Sequence, residues 1–295
     1  MGFLAGVYRP WYKAGLNQLE MQTARQFSYT QRVSILLVLL LVGLCAVTTL
    51  DPIPQDPDYH LFADKRGLFG IPNFADVVSS TGFAIVGVLG IAAVTGTSQR
   101  LIFSNPNFAR PYIVFFVGVS LVSLGSAYYH WDPGNERLLW DRLPMSVAFM
   151  AFMSAVIADR VHANTGNGWL LPVLIVLGVS SLLYWHHTEH LQRGDLRFYA
   201  FVQFSPIAIL PFILWLFPKY NYVRGRYIAW VVAWYGLSKV LEHFDAEVFE
   251  LLDYTVSGHT LKHLAAAASA FAILRMLTAR LDYHSQEIDL PANPG

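Results

Sequence analysis

Residues 111–131 read PYIVFFVGVSLVSLGSAYYHW: an apolar run the length of a bilayer crossing that ends on a histidine. Crossing the hydrocarbon core takes roughly 20 apolar residues in a helix, and this stretch meets that length with no charged residue inside it. Seven more stretches reach a similar length with few charges inside, at about 33–50, 73–96, 142–161, 168–187, 198–218, 226–244 and 258–279. Turn chemistry separates them: Asp51-Pro52-Ile53-Pro54, Asn105-Pro106-Asn107, Asp132-Pro133-Gly134-Asn135, Asn164-Thr165-Gly166-Asn167, and the chain from Pro218 onward. The expected fold is all-α, a polytopic transmembrane helix bundle.

Composition agrees. Of 295 residues 55% are hydrophobic and 14% charged, where soluble domains carry about 25% charged residues. Basic and acidic residues balance at 20 each, so charge points to no nucleic acid partner. Cys45 is the lone cysteine, which excludes an intramolecular disulfide and a cysteine-rich metal cage. The first apolar run is long for the core of a signal peptide and reads as a spanning helix. Residues 1–32 read as a basic, aromatic segment at the membrane surface or as a disordered tail. Residues 281–295 read as a polar, disordered tail. Eight crossings place both termini on one side. That side carries Arg9, Lys13, Arg25, Arg32, Arg100, Arg110, Arg160, Lys219, Arg224, Arg226, Arg275 and Arg280. Lys65, Arg66, Arg137, Arg142, Arg193 and Arg197 lie opposite. The positive-inside rule then makes the termini cytoplasmic, as in a bacterial inner membrane or an endomembrane.

Ionisable groups in spanning helices are costly and mark function by default. Here they gather at helix ends: His130 closes the third helix, Asp141 opens the fourth, and His186, His187, Glu189 and His190 close the fifth. Lys239, Glu242, His243 and Asp245 close the seventh, and His259 and His263 open the eighth. With eight crossings, all fall toward the non-cytoplasmic leaflet, which implies one polar site there.

Within Ser257-Gly258-His259-Thr260-Leu261-Lys262-His263, two histidines one turn apart share a helix face and can share a metal. Ser257 is placed to cap the helix, so His259 falls in its first turn, where the dipole favours a neutral ring. Alone the pair is weak evidence, because interfacial and packing histidines take the same spacing. Ser126 stands one turn before His130, and Asp141 returns to the depth of His130 after a short loop. Three histidines with an open fourth position are a common catalytic zinc set. A nearby carboxylate then serves as general base and a hydroxyl as oxyanion donor. Ser126 equally fits a bond to the carbonyl one turn back, and Asp141 a helix cap.

The combination of Ser126-xxx-His130, Asp141 in Asp141-Arg142-Leu143-Pro144-Met145, and His259-xxx-His263 resembles the alkaline ceramidases. These belong to a wider superfamily of seven-helix membrane hydrolases that includes the adiponectin receptors. Phe62-Ala63-Asp64-Lys65-Arg66 followed by Gly70-Ile71-Pro72-Asn73-Phe74 is similar to the bacterial branch, and the resemblance spans roughly 58–280. It implies a seven-helix core with the helix at 33–50 as an addition. It also implies zinc on His130, His259 and His263, a water activated by Asp141, and Ser126 assisting at the carbonyl. The implied reaction is cleavage of ceramide to a sphingoid base and a fatty acid. Two departures stand out. Lys65, Arg66 and Asn73 occupy the segment where the eukaryotic members hold calcium through acids, which weakens the expectation of Ca2+. Arg142 stands where an acid is expected.

Other polar groups carry two readings each. Asp76 sits on one face with Asn73 and Ser80, and either contacts a zinc histidine or pairs with Arg66 or Lys239. Glu242 is a further candidate to support the metal ligands, although an ion pair with Lys239 fits it better. His186 and His190 read as an interfacial cluster, and Asp245, Glu247, Glu250 and Asp253 as a solvated acidic face. Close packing or an acyl chain would suit the small residues 265–270. A zinc-holding receptor with little turnover, or a transporter, are the alternative functions.

Overall fold

The computed structural model describes residues 26–288, so most of the N-terminal basic segment and the last seven residues lie outside the described residues. What is described is helical, with no strand beyond one isolated bridge between Leu68 and Ile71. The principal helices are α1 (Tyr29–Thr48), α2 (Phe74–Thr95, broken once at Ser80), α3 (Ala109–Trp131), α4 (Asn135–Arg160) and α5 (Leu170–His190). They continue with α6 (Arg197–Leu216), α7 (Gly225–His243), the short α8 (Asp245–Leu251) and α9 (Gly258–Ile288). The start of the polar C-terminal tail is thus helical, since α9 runs on past Asp282.

Seven of these are long and apolar enough to cross a membrane: α1 to α6, and α9 through Ala279. The chain is a polytopic membrane bundle. Its outward positions carry large aliphatic side chains, among them Leu41, Val42, Ile85, Val88, Leu124 and Val176, as a lipid-facing surface requires. Helix α7 forms where expected but is absent from that set. Its Lys239 and Glu242 lower its apolarity, and both turn inward, where Glu242 pairs with Lys239 and with Lys262 of α9.

Helix α4 is central, with 72% of its apolar span buried, whereas α1, at 6%, packs only on the outside against α6. Around α4 stand α3, α5 and α6; α2 bridges α3 and α9, and α7 lies along α9. Helices α3 and α4 approach very closely. Pro144 has no N–H to offer the carbonyl of Trp140, and that carbonyl lies against Gly125, where a Cβ would stand 2.1 Å from it. The α4 start at Asn135 also corrects one reading. Asp141 lies nearly two turns inside the helix, so it is not a cap.

Residues 49–73 fold over the end of the bundle that holds the polar groups. Arg66 bonds both oxygens of Asp64 and the Thr255 carbonyl, fastening this segment to the approach to α9. Burial pushes the Asp64 carboxyl up, and the Arg66 guanidinium and backbone N–H more than reverse it, leaving it below its ordinary value. A second fastening joins α1, α5 and α6. Arg197 holds Asp195 through two contacts of 2.8 Å and also donates to the Leu50 carbonyl, while Tyr184 donates to Asp195 at 2.9 Å.

Two outcomes follow from these contacts. Gly125→Ala must part α3 from α4, and overpacking of this kind costs roughly 1–3 kcal/mol; a lowered thermal midpoint in detergent would register it. Hydrogen bonds from Arg197 hold the Asp195 carboxyl down at about 2. A group depressed in the folded state contributes stability above its unfolded value of about 4, and that contribution fades as pH falls through the folded value. Asp195→Asn should therefore lower the midpoint at neutral pH, with the gap narrowing from about pH 4 toward pH 2.

Candidate metal centre

His130 sits in the last turn of α3, and His259 and His263 in the first two turns of α9. Ser257 caps α9 as expected, its hydroxyl accepting the Thr260 N–H at 3.0 Å. Asp245 completes that end: one carboxylate oxygen accepts the His259 N–H at 2.7 Å, and the other accepts the Ala63 N–H at 2.9 Å. Gly258 is required here, because a Cβ would stand 2.3 Å from the Leu241 carbonyl. Asn73, in the left-handed conformation, donates to the His130 carbonyl at 2.9 Å and pins the end of α3 to the start of α2.

The three histidines converge. Nε2 of His130 lies 3.2 Å from Nε2 of His263 and 3.4 Å from Nε2 of His259, and all three rings are buried. Their ligand atoms lie within 4.8 Å of one another, so the group can hold a metal ion. Ser79 fixes one ring. Nδ1 of His263 lies 2.8 Å from Ser79 Oγ, which in turn donates to the Asp76 carbonyl at 3.1 Å. With Nδ1 donating, the lone pair of Nε2 faces the other rings. Phe62 closes the group from above, its centroid 4.7 Å from His130 and 4.4 Å from His259.

Asp141 and Ser126 are both buried. Ser126 Oγ lies 3.1 Å from Ser80 Oγ. Asp141 and Ser126 line a cavity of about 210 Å³ that reaches His263. A second cavity, about 270 Å³, lies on the other side of the histidines against Phe62, Asp245 and His259. Tyr59 and Glu242 line both.

The remaining candidates fall elsewhere. The Asp76 carboxylate accepts the Thr260 hydroxyl at 2.6 Å and reaches His263 only through its backbone carbonyl and Ser79. Neither Arg66 nor Lys239 is its partner, each being held by another acid. Glu242 touches no histidine; it accepts Lys239 and Lys262 at 2.6 Å and Tyr59 at 3.0 Å. His186 and His190 both pair with Glu136 at 3.1 Å, away from the buried group. Glu247, Glu250 and Asp253 are exposed as the acidic face requires, whereas Asp245 turns inward. Sequence reasoning thus missed Ser79, Asp245 as a cap of α9, and Phe62 as the cover. Only Ser79 left a signal, one turn after Asp76 on the helix already singled out.

Purified protein should carry roughly one divalent metal ion per chain, and His259→Ala/His263→Ala almost none, by elemental analysis. Ser79→Ala should weaken metal affinity by roughly 10–100-fold, as loss of a histidine's supporting partner does; equal metal content in all three proteins would exclude a metal centre. No family model, curated protein or solved structure matches the chain.

Proposed function

We propose that the chain is a zinc-dependent hydrolase of lipid amides, with ceramide as the substrate that the resemblance to alkaline ceramidases implies. One observation carries the reading: the buried Nε2 of His130 stands 3.2 and 3.4 Å from those of His263 and His259, with the ligand atoms of all three within 4.8 Å of one another. Tetrahedral zinc with Zn–N bonds of about 2.0–2.1 Å places its nitrogens about 3.3–3.4 Å apart. Three histidines and an open fourth position make a catalytic set; closed structural sites use four protein ligands. The metal supplies a Lewis acid that polarises the carbonyl and acidifies water.

The chain's own residues supply the rest. Asp141 accepts the proton of the water that adds to the amide carbonyl and returns it to the nitrogen as the C–N bond breaks. Ser126, on the same cavity lining as Asp141, offers a hydroxyl close to the reacting carbonyl. Phe62 and the surrounding helices exclude bulk water from the histidines. The cavity between α4, α6, α7 and α9 leaves room for the amide end of a lipid whose chains stay among apolar surfaces. Calcium has no support here: Asp64 is committed to Arg66, and Asn73 to the His130 carbonyl.

The orientation belongs to the same proposal. If α7 crosses, as its inward-turned charges permit, eight crossings return both termini to the cytoplasmic side and set the zinc toward the opposite leaflet.

Purified protein offered a panel of ceramides should release fatty acid. Asp141→Asn should lower kcat by roughly 10²–10⁴-fold while retaining its metal. Metal retained with no release from any lipid amide would leave a metal-holding receptor instead.

A further inference from the structure

Arg142 follows Asp141 on α4 and has no part in the hydrolysis described above. It is 8% exposed and sits in a box of three aromatic rings, with Tyr59, Trp185 and Tyr199 centroids 5.1, 4.9 and 5.2 Å from its guanidinium carbon. It forms no ion pair among the described residues, and its Nη1 has no hydrogen-bond partner. A buried guanidinium left this way is costly unless something else completes it. Arg142 lines the 210 Å³ cavity beside Asp141 and His263.

The charges around that cavity point to what completes it. Its cations are Arg142, Lys239 and Lys262, and its carboxylates Asp141 and Glu242. Glu242 is already taken at both oxygens, Oε2 by Lys239 and Oε1 by Lys262. Asp141 is reserved for proton transfer. Three cations against two carboxylates leave the lining net positive, and Arg142 is the cation with no carboxylate in contact, a planar fork suited to one. A neutral diol head group would leave it unmatched, and a free amine would be repelled.

We propose that the substrate is a lipid amide whose head group carries a carboxylate, an N-acyl amino acid, and that Arg142 binds that carboxylate. This rests on the amide-hydrolase reading and replaces the ceramide named there with a carboxylate-bearing lipid amide. Water adds to the acyl carbonyl, the C–N bond breaks, and the proton taken up by Asp141 goes to the nitrogen. A fatty acid and a free amino acid leave.

The test compares N-oleoylglycine, its neutral counterpart N-oleoylethanolamine, and oleate on the full-length metal-loaded protein. Thermal stabilisation gives affinity, and oleate release gives kcat/KM. Wild type should prefer N-oleoylglycine over the ethanolamide by about tenfold or more in both readouts. Arg142→Gln should bring the ratio near one at unchanged metal content, and Arg142→Lys should restore part of it. Equal affinity of wild type for the two amides overturns the proposal without any variant having to fold. Oleate binding as tightly as N-oleoylglycine also overturns it, by assigning Arg142 to the released acid. Hydrolysis of the ethanolamide with no carboxylate preference sinks this inference alone. Preference in binding with no hydrolysis of either amide sinks the hydrolase reading alone.

Discussion

Three buried imidazoles, from helices far apart in the chain, bring their Nε2 atoms close together, and a cation between them would let all three lone pairs face inward. That convergence organises this end of the molecule. It explains why His263 is tied through Ser79 to the Asp76 carbonyl, why the start of α9 is capped by both Ser257 and Asp245, and why Asn73 holds the end of α3. Each contact removes a freedom by which a ring could turn away. None of them is expensive in itself, since all are neutral or singly charged hydrogen bonds to groups that burial would otherwise leave unsatisfied.

The fold was legible because lipid imposes a simple rule, that every backbone group must be satisfied within a helix. Runs of apolar residues of spanning length therefore mark the helices α1 to α6 and α9 directly. Helix α7 shows where hydropathy stops being a guide. Lys239 and Glu242 reduce its apolarity, yet they pair with each other, and Glu242 pairs also with Lys262 of α9. The start of α4 was misplaced for a related reason: Glu136, Arg137 and Asp141 look like a loop by composition, but the helix begins at Asn135 and turns Asp141 inward.

Local spacing revealed the site as far as one helix reaches. His259 and His263 lie one turn apart, as do Ser126 and His130, and a short hairpin returns Asp141 to the same end. Groups that arrive from other elements left no such trace. Phe62 comes from the covering segment, and Asp245 from a short helix that reads as an acidic surface. Asp76 was singled out for its carboxylate, yet what reaches the histidine is its carbonyl, which no sequence pattern reports.

The order of the chain carries a consequence for biogenesis. Of the three converging imidazoles, α3 delivers one early in synthesis and α9, the last helix among the described residues, delivers two. Lys262, which balances Glu242 of α7, arrives with the same segment. Until that terminal helix enters, the nascent protein offers a single nitrogen donor and keeps α7 with only its own Lys239 to offset Glu242. Assembly of the three-histidine group and the final seating of α7 thus wait for α9 to insert, and a chain that stops before residue 258 has neither.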